Sequence, residues 1–105
     1  MDIIINKQTI RINDQLCYSL RDVKRVLQER PVARLLIAYE IPGRETGLEL
    51  LHWAAERNRL PAQVSILEPN LRASKVLGDF LLAQGYKLFS ARQYLRVEAG
   101  TAHSR

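Results

Sequence analysis

The chain has 105 residues, 47% hydrophobic and 26% charged, with 16 Lys and Arg against 11 Asp and Glu for a net charge of +5. That length and composition fit one ordinary globular domain with a single modest core and little surplus for a second. There is no apolar run near the roughly 18 residues of a membrane span and no basic-then-apolar leader at the N-terminus, and the lone Cys17 rules out an internal disulfide, so a cytoplasmic location without membrane contact is expected.

Residues 3–12, IIINKQTIRI, are β-branched and alternate about a polar centre. They read as a short hairpin turning at Asn6-Lys7-Gln8 or as one strand with a polar middle, and the Asn-Gly or Asp-Gly hairpin signal is missing. Asn13-Asp14-Gln15 then breaks the pattern. Ser19-Leu20-Arg21-Asp22 is a variant capping box for a first helix over 19–29, with Leu20, Val23, Val26 and Leu27 at helical spacing and Pro31 closing it. The continuous apolar run Arg34–Tyr39, ended by Glu40, suits a central parallel strand covered on both faces.

After a loop over 41–45, Thr46 and Glu49 form a capping box for a second helix over 47–58. Leu48, Leu51, Ala54 and Ala55 make its inner stripe, widened by Leu50 and Trp53. Gln63–Leu67 is a second short strand, Asn70 caps a third helix, and Gly85 stops that helix. Tyr86–Ser90 and Gln93–Glu98 are strand candidates. The alternation predicts right-handed βαβ units in a small three-layer α/β sheet with three helices and β-rich termini. The domain is expected to span 1–99, with a flexible tail over 100–105.

Twelve of the 16 basic residues are Arg, which favours bidentate contact with phosphate or carboxylate. The bland account of that charge is a solvated surface, because the basic residues are dispersed. Arg21, Lys24 and Arg25 share part of helix one, and Arg72 and Lys75 open helix three, so these faces would form one basic patch if they adjoin. In an open α/β sheet the site lies beyond the carboxyl ends of the strands. Those ends carry Ala38-Tyr39-Glu40 and Leu67-Glu68-Pro69-Asn70, which is sparse equipment for catalysis. The candidate ligand-binding residues are therefore Glu40, Thr46, Glu68, Asn70 and Arg72, with Arg72 placed to assist anion capture at a helix N-terminus. His52, beside Trp53, lacks a convergent second ligand, and Cys17 reads as a small buried hydrophobe. No metal or other cofactor is expected, and no Ser-His-Asp set, phosphate-binding glycine loop or zinc spacing occurs.

The order Leu36-Ile37-Ala38-Tyr39-Glu40-Ile41, then Glu45-Thr46-Gly47-Leu48-Glu49, His52-Trp53, Leu60-Pro61, Val64–Leu67 and Glu68-Pro69-Asn70 has a counterpart in a known family. The segment from Ser19 to Leu82 resembles the cyclic-phosphate processing branch of receiver-like domains. That resemblance implies a reduced flavodoxin-like fold. Its scaffold residues match and its reactive ones mostly do not. Ala38 stands where the family places its first acid, Tyr39 replaces a His, Leu67 the second His and Glu68 a Ser, while Asn70 matches. Nor is Ile3-Ile4-Ile5 followed by the acidic pair that a receiver uses for magnesium.

The resulting expectation is a non-enzymatic receiver-like interaction module. It would bind a protein partner or a second copy through the loops 40–46 and 68–72 and an exposed sheet edge. The first alternative is a cyclic-phosphate or nucleotide hydrolase with a reduced site: Glu40 as general acid/base, Asn70 and Arg72 holding phosphate. The second alternative is nucleic-acid binding.

Overall fold

The computed structural model describes residues 1–17 and 19–96. Its elements are β1 (Asp2–Ile5), β2 (Ile10–Ile12), β3 (Gln15–Cys17), α1 (Leu20–Glu29), β4 (Arg34–Ile37), α2 (Gly47–Glu56), β5 (Gln63–Ile66), α3 (Leu71–Ala83), β6 (Tyr86–Ser90) and β7 (Gln93–Arg96). Val97-Glu98 of the expected last strand, the domain boundary at 99 and the tail 100–105 lie outside the described residues. The strands form one mixed sheet in the order β3-β2-β1-β4-β5-β7-β6.

The centre of the sheet is parallel. Ile3, Leu35 and Val64 stand in one row across β1, β4 and β5, and Ile5, Ile37 and Ile66 in the next. All six are between 0% and 2% exposed. Successive side chains in a strand point to opposite faces. The intervening row Ile4, Leu36 and Ser65 is only half-buried. One face is therefore sealed and the other is open. The core cluster joins the sealed rows to Val23 and Leu27 of α1, Leu50, Leu51 and Ala54 of α2, and Leu77 and Leu81 of α3.

The expected third layer is absent among the described residues, and β4 is not covered on both faces. Its cause is the strand order. The chain passes from β1 to β4 to β5 and, through α3, to β6 always in the same direction, and right-handed crossovers running one way lay every helix on one side. A second helical layer needs crossovers that leave β1 in the opposite direction. Here that flank is filled by β2 and β3, which are joined by tight hairpins and carry no helix between them. The helices lie side by side. Lys24 Nζ of α1 sits 5.3 Å from the Trp53 ring of α2, and His52 of α2 packs its ring 4.3 Å from Phe80 of α3.

The N-terminal segment is a hairpin rather than one strand. In place of an Asn-Gly turn, Asn6 Oδ1 accepts hydrogen bonds from the backbone of Gln8 and Thr9 and from the Thr9 hydroxyl at 3.0, 2.8 and 3.0 Å. A second hairpin, not anticipated, follows through Asn13 and Asp14, both left-handed at φ 53° and 68°. Two positive φ values in a two-residue loop are the requirement of the type I′ turn, which Asn and Asp tolerate better than other side-chain-bearing residues. The helix caps follow the sequence. Ser19 accepts from the Arg21 N–H, Thr46 and Glu49 complete the reciprocal box, and Asn70 accepts from the Ala73 N–H. No helix among the described residues is long and apolar enough to cross a membrane.

Two close packings yield tests. A Cβ on Gly78 would stand 2.3 Å from the Tyr94 hydroxyl oxygen, so Gly78→Ala is expected to cost about 1–3 kcal/mol by overpacking. Tyr94→Phe removes the atom in the way, and the double variant should recover part of the lost melting temperature; equal losses in single and double variants would place the strain elsewhere. The Tyr86 hydroxyl donates to the Pro61 carbonyl, and burial pushes its phenol up to about 12 from an ordinary 10.0. The unfolded chain ionises first, so the stability contribution of this group is intact below pH 10 and is lost as pH rises to about 12. Chemical denaturation of Tyr86→Phe should show a flatter decline over that window than the wild type.

Candidate functional site

The parallel strands end along one rim, and the three helices start there because each returns antiparallel to the strand it follows. Loops 40–46 and 68–70 and the turn at 6–9 stand on this rim. Three cavities open along it. The first, about 860 Å³, lies between α1 and the loop 42–45 and is lined by Ser19, Arg21, Lys24, Arg25, Gln28 and Arg44 above an apolar base of Ile10, Leu20 and Pro42. A second, about 340 Å³, is lined by Asn6, Lys7, Gln8, Ala38, Glu40, Leu67 and Glu68. The third, about 420 Å³, is lined by Tyr39, Glu40, Glu68, Asn70, Arg72 and Val76.

Four of the five sequence candidates, Glu40, Glu68, Asn70 and Arg72, thus meet around the third cavity, and Glu40 and Glu68 are shared with the second. Thr46 lines none of the three. Its hydroxyl accepts from the Glu49 N–H at 3.2 Å, and its own N–H donates to Glu49 Oε1 at 2.8 Å. It also pairs with Glu40 in an isolated antiparallel bridge, and the Gly47 N–H donates to the Tyr39 carbonyl at 2.6 Å. Thr46 therefore closes the loop and starts α2. Gly47 fits only as glycine, since a Cβ there would stand 2.1 Å from the Ala38 carbonyl oxygen.

Glu68 is buried, 7% exposed. Its Oε1 accepts the Tyr39 N–H at 2.9 Å, across from the end of β4, and its Oε2 accepts the Asn70 N–H at 3.1 Å. The Arg92 guanidinium donates to the Glu68 carbonyl oxygen from the other side. A carboxylate is the right group for this place, because it offers acceptors on two oxygens and no donor to conflict with two N–H groups. Glu68 thus braces the ends of β4 and β5 against each other. Arg92 is a member of this assembly that the sequence reading left out; its partner lies 24 positions away and nothing local marks the contact.

Glu40 is different. Its side chain is 69% exposed and among the described residues pairs only with the exposed Lys7, at 3.6 Å. Such a pair is worth at most about 1 kcal/mol. Asn70 Oδ1 accepts the Ala73 N–H at 3.0 Å and so serves as the cap of α3. His52 packs on Phe80, and Cys17 is partly buried with Sγ 3.6 Å from the Ser19 carbonyl. No group of three His, Cys, Asp or Glu able to hold a metal ion occurs among the described residues.

The basic faces of α1 and α3 do not join. Arg21, Lys24 and Arg25 belong to the first cavity and Arg72 to the third, with α2 packed between. Lys75 turns to Asp79 at 2.9 Å. The residue that completes the first basic cluster is Arg44, brought against α1 because Gly43 turns the loop at φ 97° beside Leu20.

Compared with family models, curated proteins and solved structures, the chain matches none of them.

The brace is testable. Glu68→Gln presents an amide NH2 to one of two backbone N–H groups, leaves that donor unsatisfied, and should lower stability by about 1–3 kcal/mol in urea denaturation. Glu40→Gln at the exposed neighbour should change it by less than about 0.5 kcal/mol. Equal effects would remove the brace from the account.

Proposed function

We propose that this chain is a non-enzymatic interaction module of reduced receiver-like build that binds a protein partner. The observation that carries the reading is the use of the polar groups at the strand ends. Glu68 spends both carboxylate oxygens on backbone N–H groups, and Thr46, Glu49 and Asn70 spend theirs on helix caps. These groups fix the shape of the rim, and Glu40 remains as an exposed carboxylate with no His among the described residues lining either cavity it faces.

The open face of the sheet offers the contact area. Ile4, Leu36 and Leu95 lie on it with Leu16 at its margin, 46% exposed, among Asp2, Arg11 and Arg34. Arg34 and Asp2 form an ion pair at 2.5 Å. Seven strands about 4.8 Å apart and about four residues long give a face of roughly 30 by 13 Å. That is about half of the roughly 800 Å² per partner of a standard stable complex, so the association supported is transient. The likeness of the segment from Ser19 to Leu82 to cyclic-phosphate processing receivers favours the hydrolase as second reading only through Glu40, Asn70 and Arg72 around one cavity.

Two measurements separate these readings. Sedimentation over a wide concentration range should show weak self-association that Leu16→Lys with Ile4→Thr abolishes while helical content is kept; a monomer throughout removes the second copy as the partner. Hydrolysis of a 2′,3′-cyclic nucleotide that is lost in Glu40→Ala would overturn the non-enzymatic reading.

A further inference from the structure

The first rim cavity has no part in the proposed contact face, and its chemistry is its own. It gathers Arg21, Lys24, Arg25 and Arg44 about a space of about 860 Å³. The charges are not equally engaged. Arg25 is held by Asp22 at 3.1 Å, and Lys24 by Glu45 Oε2 at 2.6 Å. Arg21 and Arg44 are exposed, and neither has a side-chain hydrogen bond or ion pair within the described residues. The other oxygen of the same carboxylate, Glu45 Oε1, is buried and accepts no hydrogen bond. An acceptor in that state costs about 1–3 kcal/mol unless a donor reaches it.

We infer that this cleft is a binding site for a phosphomonoester that also carries free hydroxyl groups, as in a sugar phosphate or a nucleoside monophosphate. The phosphate is matched by the two unengaged guanidiniums, whose planar forks suit its oxygens and which share the pocket with the N-terminal turn of α1. A hydroxyl is matched by Glu45, whose Oε1 needs a donor; the side chain is 35% exposed, and a small turn about its terminal bonds brings that closed-off oxygen to the cleft, where a bare phosphate dianion would be repelled. The body of the ligand is matched by Leu20, Ile10 and Pro42. A wholly anionic ligand explains the arginines but not the orphaned acceptor, and a neutral sugar explains the acceptor but not the arginines. The ester satisfies both.

Calorimetric titration of the intact chain with inorganic phosphate, ribose, ribose 5-phosphate and adenosine 5′-monophosphate tests this. The expected result is that the two esters bind at least tenfold more tightly than phosphate or ribose, and that Arg21→Ala with Arg44→Ala abolishes ester binding. Arg30→Ala with Lys87→Ala removes the same charge from exposed positions outside the cleft and should leave affinity within twofold. Glu45→Ala, which removes the acceptor, should erase most of the preference for the esters over inorganic phosphate while phosphate itself still binds. Stronger binding of the monophosphate than of the sugar phosphate assigns the apolar base to a nucleobase, and equal binding assigns the site to the sugar phosphate itself. No binding of either ester, or binding that survives loss of both arginines, overturns the inference, and neither outcome bears on self-association at the sheet face.

Discussion

Three parallel strands entered always from the same side decide most of this molecule. Because β1, β4, β5 and then β6 succeed one another in a single direction, the right-handed crossover rule places α1, α2 and α3 in one layer. The hydrophobic effect then has one face to seal. Ile3, Ile5, Leu35, Ile37, Val64 and Ile66 are removed from water almost completely, each worth about 1.5–3 kcal/mol relative to exposure. The opposite face keeps Ile4 and Leu36 beside Asp2, Arg11 and Arg34. The same order removes the crevice that diverging crossovers create at a switch point. What remains at the strand ends is a row of shallow openings between successive helix starts and loops.

That row is held by hydrogen bonds of very different weight. The buried Glu68 carboxylate, accepting two backbone N–H groups, extends the pairing of β4 and β5 past the Leu67 N–H to Ile37 carbonyl bond, and losing it would strand donors away from water. The Thr46–Glu49 box and the Asn70 cap fix where α2 and α3 begin, each at about 1 kcal/mol. The charges at the margins, Lys7 with Glu40 and Arg25 with Asp22, are largely exposed, screened by salt, and contribute little to stability. The rim therefore has a rigid floor and adaptable edges. Groups on the floor are committed to shape; groups at the edges, chiefly Arg21, Arg44, Glu40 and Arg72, are exposed.

The sequence carried the helices well because their signals are local: a cap residue, a spacing of three and four, a terminating Pro or Gly. It also carried β4 and β5 as strands. It misled on the layers through Leu36 and Ile4, apolar residues on an open face that made β4 look buried on both sides. The contrary hint stood in β5, where Gln63 and Ser65 alternate with Val64 and Ile66 as a half-buried strand should. The strand β3 was missed because three residues after an Asn-Asp pair carry little pattern, and the turn is made without the glycine that usually announces it. Four of the five candidate residues come together, since all sit at strand ends or helix starts on one rim. The role of Glu68 and the arrival of Arg92 were illegible: their contacts span 29 and 24 positions and exist only once the sheet has formed.

The loop 40–46 separates the two surfaces that this fold leaves available. Its ends are locked to each other by the Glu40–Thr46 bridge and the bond from the Gly47 N–H to the Tyr39 carbonyl, and Tyr39 is in turn held by Glu68. Its tip, from Pro42 to Glu45, leans on α1 through Lys24 and Leu20. A ligand at the tip meets Arg44 and Glu45, which are not part of the locked base, so filling the cleft need not disturb the strand ends. The open sheet face lies on the other side of the strands from α1 altogether. The cleft and the open sheet face therefore lie on opposite sides of one small scaffold, because packing has placed the helices, and with them the arginines of α1, on a single side.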